Sequence, residues 1–435
     1  MLHDPSHYTP MIPSREISVS GKDRDILRTL AERKLRIGSL PIQQETAELW
    51  TGLNDLKSQR PMVWVNEICW HEMVVNHELT LQCEGEWARE QESALRREIY
   101  QWEHLRGDMV VNPWIECPLA IHSTDFGIIE DTDIVRTDEV SDIVSRHFHV
   151  QIESLEDLEK IQMPRITHHK QATAHRYRAF TDVFGDILPA RKIGQTHIWF
   201  TPWDYLIRWT GIENAMMAIC HNPGLIHAAV ERLVDAWMVE LDQFVKRNLL
   251  SLDCSNIRVG SGGYGYTSEL PGSHYNPLTV RPHNMWGCSN AQIFADVSPE
   301  MHWEFAVEHE LRWMDRWGLN YYGCCEPLHN KIEILRRIPR LRKVSVSPWC
   351  DFQRLMEGLG DTVVYSIKPS PAILAENEWQ PERARAEIRK ILDIAAGQAH
   401  LEFIMKDIST VRYHPQRLWN WVEIASEEVR IKRPK

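Results

Sequence analysis

The sequence predicts a (β/α)8 barrel. Three observations carry that prediction. Eight strand-like runs can be marked along the chain, helix-period segments separate most of them, and no short repeat or low-complexity tract interrupts the alternation. Strands alternating with helices imply a parallel sheet with helical crossovers, and eight such units make a barrel. At 435 residues the chain is long enough to bury such a core without disulfide or metal staples.

The elements follow in order. Residues 1–59 read as an N-terminal helical extension, because DRDILRTLAERKLRI spaces its apolar residues by three and four. The barrel then occupies 60–430. Its first strand is MVWVNEI (62–68) and its second is DMVVNPWI (108–115), with a charged, Trp-punctuated helix at 84–106 between them. Residues 117–192 break the alternation with mixed charge and several His, and read as an inserted subdomain. The third strand is QTHIWF (195–200), followed by a helical pattern at 211–249 that breaks at Asn222-Pro223. The fourth is NIRVG (256–260). The Gly/Pro-rich stretch 261–298 reads as a long loop over the barrel mouth, and a helix is expected at 299–317. The last four strands are LNYYG (319–323), KVSVS (343–347), TVVYSI (362–367) and HLEFIM (400–405). Loosely packed linker is the alternative reading of the two irregular regions.

Composition narrows the function. A formal net charge of −12 argues against nucleic acid and anionic membrane as partners, since both need clustered Lys and Arg. No stretch approaches the roughly 18 apolar residues of a membrane span. The start lacks the pattern of a signal peptide, so a cytoplasmic location is expected. The nine Cys form no C-x-x-C pair, which favours reduced thiols. The 18 Trp supply large rings that suit both a core and a pocket for an organic ligand.

Active sites of such barrels lie at the carboxyl ends of the strands. The candidates there are Glu67 and Trp70 after the first strand, Trp203 and Asp204 after the third, and Tyr264 after the fourth. Cys324, Cys325, Glu326 and His329 follow the fifth, Cys350 the sixth, Lys368 the seventh and Asp407 the eighth. YYGCCEPLH (321–329) is the densest stretch, and two readings of it stand. Cys324 and Cys325, completed by Cys350 or Cys288 from another loop, are the candidate ligands of a zinc ion. The alternative is two packed thiols, a helix-capping Glu and a surface His. Glu326 is a general acid or base if burial raises its pKa, or a first-turn carboxylate favoured by a helix dipole. Lys368 suits a carboxylate or phosphate, and Asp204 either orients substrate or caps its helix. With His329 these form the candidate catalytic set. Trp70, Trp203, Glu67, Tyr264 and Asp407 are the candidate substrate-binding residues. The run VGSGGYGY (259–266) lacks both the G-x-G-x-x-G register and a Walker ending, and reads as a lid or tight turn before an anion cradle. The His pairs at 147/149 and 168/169 read as surface residues.

From about 195 to 425, and more weakly over 60–127, the chain resembles the uroporphyrinogen decarboxylase superfamily. The resemblance lies in TPWDYLIRWTGIENAMMAICHNPGLIHAAVERL, VSPEMHWEFAVEHELRWMDRWG, SVSPW, SIKPSPA and DISTVRYHPQRLWNWVEIA. The phrase VSPEMHWEF, followed about 20 residues later by a Cys-bearing strand end, is its most specific part. The resemblance implies a (β/α)8 barrel and either decarboxylation or corrinoid-linked methyl transfer. The first strand, MVWVNEICWHEM, lacks the paired arginines with which the decarboxylases hold substrate carboxylates, which turns the expectation away from a porphyrinogen. The family's zinc methyltransferases use His-x-Cys at the fifth strand and a later Cys. Here Tyr322 stands where that His would be if Cys324 is the matching thiol, and IMKDISTVRYHP has no Cys. Zinc would then need another set, such as Cys325 with Glu326 or His329, or the site is metal-free.

The expected function is a cobamide-linked methyltransferase that moves a methyl group between a small methylated substrate and a corrinoid carried by a partner protein. Two alternatives stand beside it. One is a cofactor-independent decarboxylase or lyase acting on a small carboxylic acid, and the other is a non-catalytic ligand-binding barrel. Family barrels often pair as homodimers, a point on which the sequence is silent.

Overall fold

The computed structural model describes residues 12–135 and 145–431. Its strands are β1 (Met62–Val65), β2 (Ile115–Pro118), β3 (Ile121–Ser123), β4 (Thr132–Val135), β5 (Ser145–Phe148), β6 (Ile166–His168), β7 (Ala190–Ile193), β8 (Trp286–Ser289), β9 (Leu319–Tyr322), β10 (Leu341–Val346), β11 (Val364–Ile367) and β12 (His400–Met405). Six of them form one sheet in the order β1-β12-β11-β10-β9-β8, and every pairing in it is parallel. β1, β8, β9 and β11 are buried at every residue. Burial on both faces is why parallel strands read as continuous apolar runs. Helices cross over between them. Proline stands in the first turn of the helices Pro41–Asn54, Pro202–Thr210, Pro223–Arg247, Pro299–His302 and Pro381–Ala395, where its missing N–H has no partner to lose.

The parallel sheet holds six strands, and the expected closed eight-stranded ring is not seen among the described residues. The strands expected at 319–323, 343–347, 362–367 and 400–405 form within a few residues of those bounds. Those expected in the first half largely do not. Residues 108–112 are irregular and the strand comes later, at β2, paired in parallel with β7. The 195–200 run contributes a single parallel bridge, Gln195 to Leu250, and Arg258 of the 256–260 run contributes an antiparallel bridge to Tyr264. Amide side chains join these segments in place of a ladder. Asn112 Nδ2 lies 2.6 Å from Asn256 Oδ1, and Asn256 Nδ2 donates to Val110 O at 3.0 Å. Conversely, the fully buried edge strand β8 lies inside 261–298, the stretch read as a mouth loop. A four-residue WGCS run among Gly and Pro carries no strand signal strong enough to read.

The region 117–192 holds the two antiparallel pairs β3/β6 and β4/β5 together with the helix Lys170–Phe184. In the N-terminal extension, Ser20 Oγ accepts from Asp23 N at 3.0 Å and caps the helix Gly21–Gly38. Asp23 in turn accepts the N–H groups of Glu84 and Gly85, at 2.9 and 3.0 Å, and so seats the helix Glu86–His104. No helix among the described residues is long and apolar enough to cross a membrane.

A buried ion pair lies inside the sheet. Lys343 Nζ on β10 is 2.9 Å from Glu402 Oε2 on β12, and both side chains are 0% exposed. Ser366 on the intervening β11 donates to Glu402. The glycine run donates as well, from Gly263 N to Glu402 Oε1 at 3.0 Å. Lys343 Nζ also reaches Tyr264 O at 3.2 Å and lies 5.7 Å from the rings of both Trp50 and Trp286. A Cβ at Gly263 would lie 2.5 Å from Trp50 Cη2. VGSGGYGY is thus a tight turn, closed by Val259 N donating to Gly263 O at 3.0 Å and Gly262 N to Val259 O at 2.9 Å, and not a lid. Residues 259–264 are buried against the sheet, and one of its N–H groups does bind an anion, the protein's own Glu402.

Removing one partner of such a pair leaves an uncompensated charge in a dry site. Lys343→Met should lower the unfolding free energy by roughly 3–5 kcal/mol. Lys343→Met with Glu402→Gln, which keeps an acceptor for Gly263 and Ser366, should recover most of the loss. Urea denaturation of the three proteins at neutral pH checks this. A double variant as unstable as the single one would mean that the stranded charge is not the cause.

Candidate functional site

At the carboxyl ends of β1, β9, β11 and β12 the chain gathers charged groups and thiols. Glu67 follows β1, and its carboxylate holds two cations. Arg258 Nη1 lies 2.7 Å from Oε1 and Lys406 Nζ lies 3.4 Å from Oε2. Asp407 N also donates to Glu67 Oε2, at 3.2 Å. Burial pushes the Glu67 carboxyl up, but the Arg258 and Lys406 charges outweigh it and hold the group at about 2. Lys406 Nζ bonds Asp407 Oδ2 at 2.8 Å and lies 3.8 Å from Cys324 Sγ. Glu67 and Asp407 sit at φ +49° and +56°. Non-glycine residues in that region are strained by about 1 kcal/mol or more each. Two adjacent strand ends are therefore held bent so that both carboxylates face Lys406.

Lys368, after β11, is 5% exposed. Its Nζ donates to Tyr321 Oη at 3.1 Å and to Ser366 O at 3.0 Å. Tyr321 Oη is also 3.1 Å from Ser261 Oγ. Burial lowers the Lys368 ammonium, the Glu402 charge partly restores it and the Lys406 charge lowers it again, which leaves it at about 7. A buried lysine at that value gives or takes a proton near neutrality.

The fifth-strand motif folds differently from a metal site. Cys324 Sγ and Cys325 Sγ are 3.6 Å apart. Glu326 is 0% exposed and spends its carboxylate on backbone N–H groups, those of Cys324 at 2.9 Å and Ala291 at 3.3 Å. Burial raises its pKa. His329 Nδ1 accepts from Asp351 N at 3.1 Å, tying the loop to the start of the helix Phe352–Leu359. Among the described residues, Glu78, Glu103 and His104 are the one group that brings three ligand atoms within 4.8 Å of one another. Cys324, Cys325 and Cys350 do not converge, nor do the two thiols with Glu326 or His329. The residues present at the fifth strand therefore do not fit a zinc ion, which needs at least three protein ligands. In the outer group Glu103 is held by Arg33, and His104 pairs with Glu78 inside the group itself.

The remaining sequence candidates divide. Glu67, Asp407, Lys368, Cys324 and Cys325 come together. Asp204 is buried in the first turn of its own helix, where it accepts from Gln292 Nε2 at 2.8 Å. Burial raises it to about 6. Trp203 is no pocket wall. It is 0% exposed, its indole N–H donates to Phe305 O, and its ring packs on Phe294. Trp70 packs edge-on against Tyr100 with Arg97 over its ring. Tyr264 is core, wedged between Trp50 and Trp64. Sequence reasoning missed Arg258, Tyr321 and the role of Lys406. Arg258 and Tyr321 sit inside short predicted strands, and a charged residue within an otherwise apolar strand was the available signal.

No family model matches the chain, and neither does any curated protein. Among solved structures it is similar to a methyltransferase from Methanosarcina mazei, at 10% sequence identity and a TM-score of 0.50. The alignment covers 88% of this chain and 98% of that one. A likeness at that identity shows a shared fold.

Glu67→Gln should lower stability by roughly 3 kcal/mol at neutral pH, because Arg258 then loses its paired carboxylate and Lys406 keeps only Asp407. The folded pKa of Glu67 is depressed, so its contribution is full above the unfolded value of about 4.5. It fades as pH falls from there through about 2. Urea titrations of wild type and variant should therefore converge as pH is lowered through that window. A gap that stays constant with pH would contradict the charge pairing.

Proposed function

We propose that the chain is a methyltransferase that takes a methyl group from the nitrogen or oxygen of a small substrate and passes it to a reduced corrinoid carried by a partner protein. One observation carries the reading. A buried ammonium poised near neutrality, Lys368, is braced by Tyr321 at the strand ends of a fold shared with a methyltransferase. An amine or alkoxide is a poor leaving group until it is protonated, and in this reading Lys368 supplies that proton. Tyr321 and Ser261 hold the ammonium in position. Lys406, neutralised by Glu67 and Asp407, forms the floor beside the thiols. The reduced corrinoid would supply the nucleophile. The loops after β1, β10 and β12 carry Val74, Trp349 and Tyr413, which are 55%, 73% and 58% exposed, and such apolar groups on the loops that follow these strands would suit the face of a corrin ring.

A second reading has its own support. Lys368 is bonded to a hydroxyl and a carbonyl and not to a carboxylate, so it could receive a substrate carboxylate in a decarboxylase or lyase that needs no cofactor. A ligand-binding barrel without turnover is the third possibility.

One assay separates the three. Purified protein is incubated with reduced corrinoid and a panel of methylamines and methoxy compounds, and alkylation is followed by the corrinoid's absorbance. Methyl transfer from one class is the expected result. Transfer from none of them sinks the first reading. Carbon dioxide release from small carboxylic acids without corrinoid would establish the second. Tight binding without turnover would establish the third.

With a substrate in hand, Lys368→Met should slow turnover by about 10²–10⁴-fold. The wild-type rate should fall as pH rises above about 7, because the protonated form of Lys368 is the one lost there. A flat profile between pH 6 and 9 would remove Lys368 as the acid.

A further inference from the structure

The failure of the zinc fit leaves two adjacent thiols at the centre of the site, and their geometry suits a different chemistry. We propose that Cys324 and Cys325 are a reversible oxidation site, which peroxide converts into a vicinal disulfide. This does not depend on which small molecule the site accepts.

Four features support it. The sulfurs are 3.6 Å apart, so a bond of about 2.05 Å asks for an approach of roughly 1.5 Å. Residues 323–330 form neither helix nor strand, so twisting the peptide between the two cysteines breaks no ladder. The preceding Gly323 is at φ +96°, a conformation that suits glycine and already bends the chain at this point. Cys325 is partly exposed while Cys324 is buried, which gives an oxidant access to one sulfur and shelters the other. Ser345 Oγ donates to Cys324 O at 2.6 Å. The twist would loosen that bond, so oxidation would be felt on β10 as well.

The step balances. Cys325 is the attacking sulfur. The hydrogen bond from Cys324 lowers it, burial opposes this, and the Lys406 charge lowers it further. Its thiolate attacks one oxygen of hydrogen peroxide. An S–O bond forms, the O–O bond breaks, and hydroxide leaves to be protonated to water. Cys324 then attacks the sulfenic sulfur. The S–S bond forms, the S–O bond breaks, and the departing hydroxide takes the Cys324 proton. Two thiols and one peroxide give one disulfide and two waters, with the thiols oxidised and the peroxide reduced.

The test uses the full chain. Trypsin releases the segment from Trp317 to Lys331, which holds Cys324 and Cys325 and no other cysteine. Protein treated with equimolar hydrogen peroxide is quenched with iodoacetamide, digested and weighed by mass spectrometry. The expected peptide carries no alkyl group and is lighter than the reduced peptide by two hydrogens. Dithiothreitol before alkylation should restore two alkyl groups. A peptide that stays doubly alkylated while exposed Cys220 is oxidised would overturn the proposal. So would a cross-link to the Cys350 peptide, or oxygen added to a single sulfur as the end product. In Cys324→Ser, the sulfenic acid should be trapped on Cys325 by dimedone. Absence of that adduct, with Cys324 labelled instead in Cys325→Ser, would overturn the order of attack. The wild-type peptide map decides the disulfide itself even where a variant fails to fold.

Discussion

The Lys343–Glu402 pair constrains more of this molecule than any other contact. Two unit charges with no exposed surface are tolerated only when they meet each other and their other hydrogen-bonding positions are filled. Glu402 is filled by Lys343 from β10, Ser366 from β11 and Gly263 from the glycine run. The pair therefore ties three neighbouring strands to a segment distant in sequence. The N–H of Gly263 can reach the carboxylate only because nothing larger than hydrogen separates its Cα from Trp50. That approach draws residues 259–264 into the interior. In doing so it delivers Ser261 to Tyr321 and Arg258 to Glu67.

The candidate site inherits its electrostatics from this arrangement. Lys368 lies near Glu402, whose charge is already committed to Lys343. It therefore gains too little to offset burial, and its ammonium is weakly held. Lys406 differs because Glu67 and Asp407 both face it, and it stays firmly protonated. Two lysines one strand apart thus take opposite roles, one a mobile proton and the other a fixed charge. The difference follows from which carboxylates are free to answer them. The bent backbone at Glu67 and Asp407 is part of this design, since relaxing either φ would turn a carboxylate away from Lys406.

The fifth-strand motif shows how composition and geometry part company. Two thiols, a carboxylate and an imidazole within six residues are a reasonable ligand set on paper. In the folded chain the carboxylate turns back to close its own loop, and the imidazole reaches to the next helix. What remains is a dithiol beside a fixed cation. Such an arrangement lowers one thiol at the expense of the other, and it favours sulfur chemistry over metal coordination.

The sequence by itself determined the parallel half of the fold. The runs at 319–323, 343–347, 362–367 and 400–405 are buried over most of their length, and burial of that kind writes a dense apolar and aromatic signal even around Asn320, Lys343, Ser366 and Glu402. It also determined that Glu67, Cys324, Cys325, Lys368 and Asp407 stand at strand ends, because position along a strand follows from local pattern. Only the tertiary structure decided the rest. The 108–115, 195–200 and 256–260 runs have strand-like composition, yet Asn side chains join the first to the third and the second makes a single bridge to Leu250, and local propensity cannot say whether a neighbouring strand is present to pair with. Trp203 and Tyr264 looked like pocket walls because an aromatic ring has the same letter in a core as in a cleft. Arg258 looked like strand filler because its partner, Glu67, lies 191 positions away. Charge pairing, proton affinity and metal fit all depend on distances between residues remote in sequence, and those distances exist only once the chain is folded.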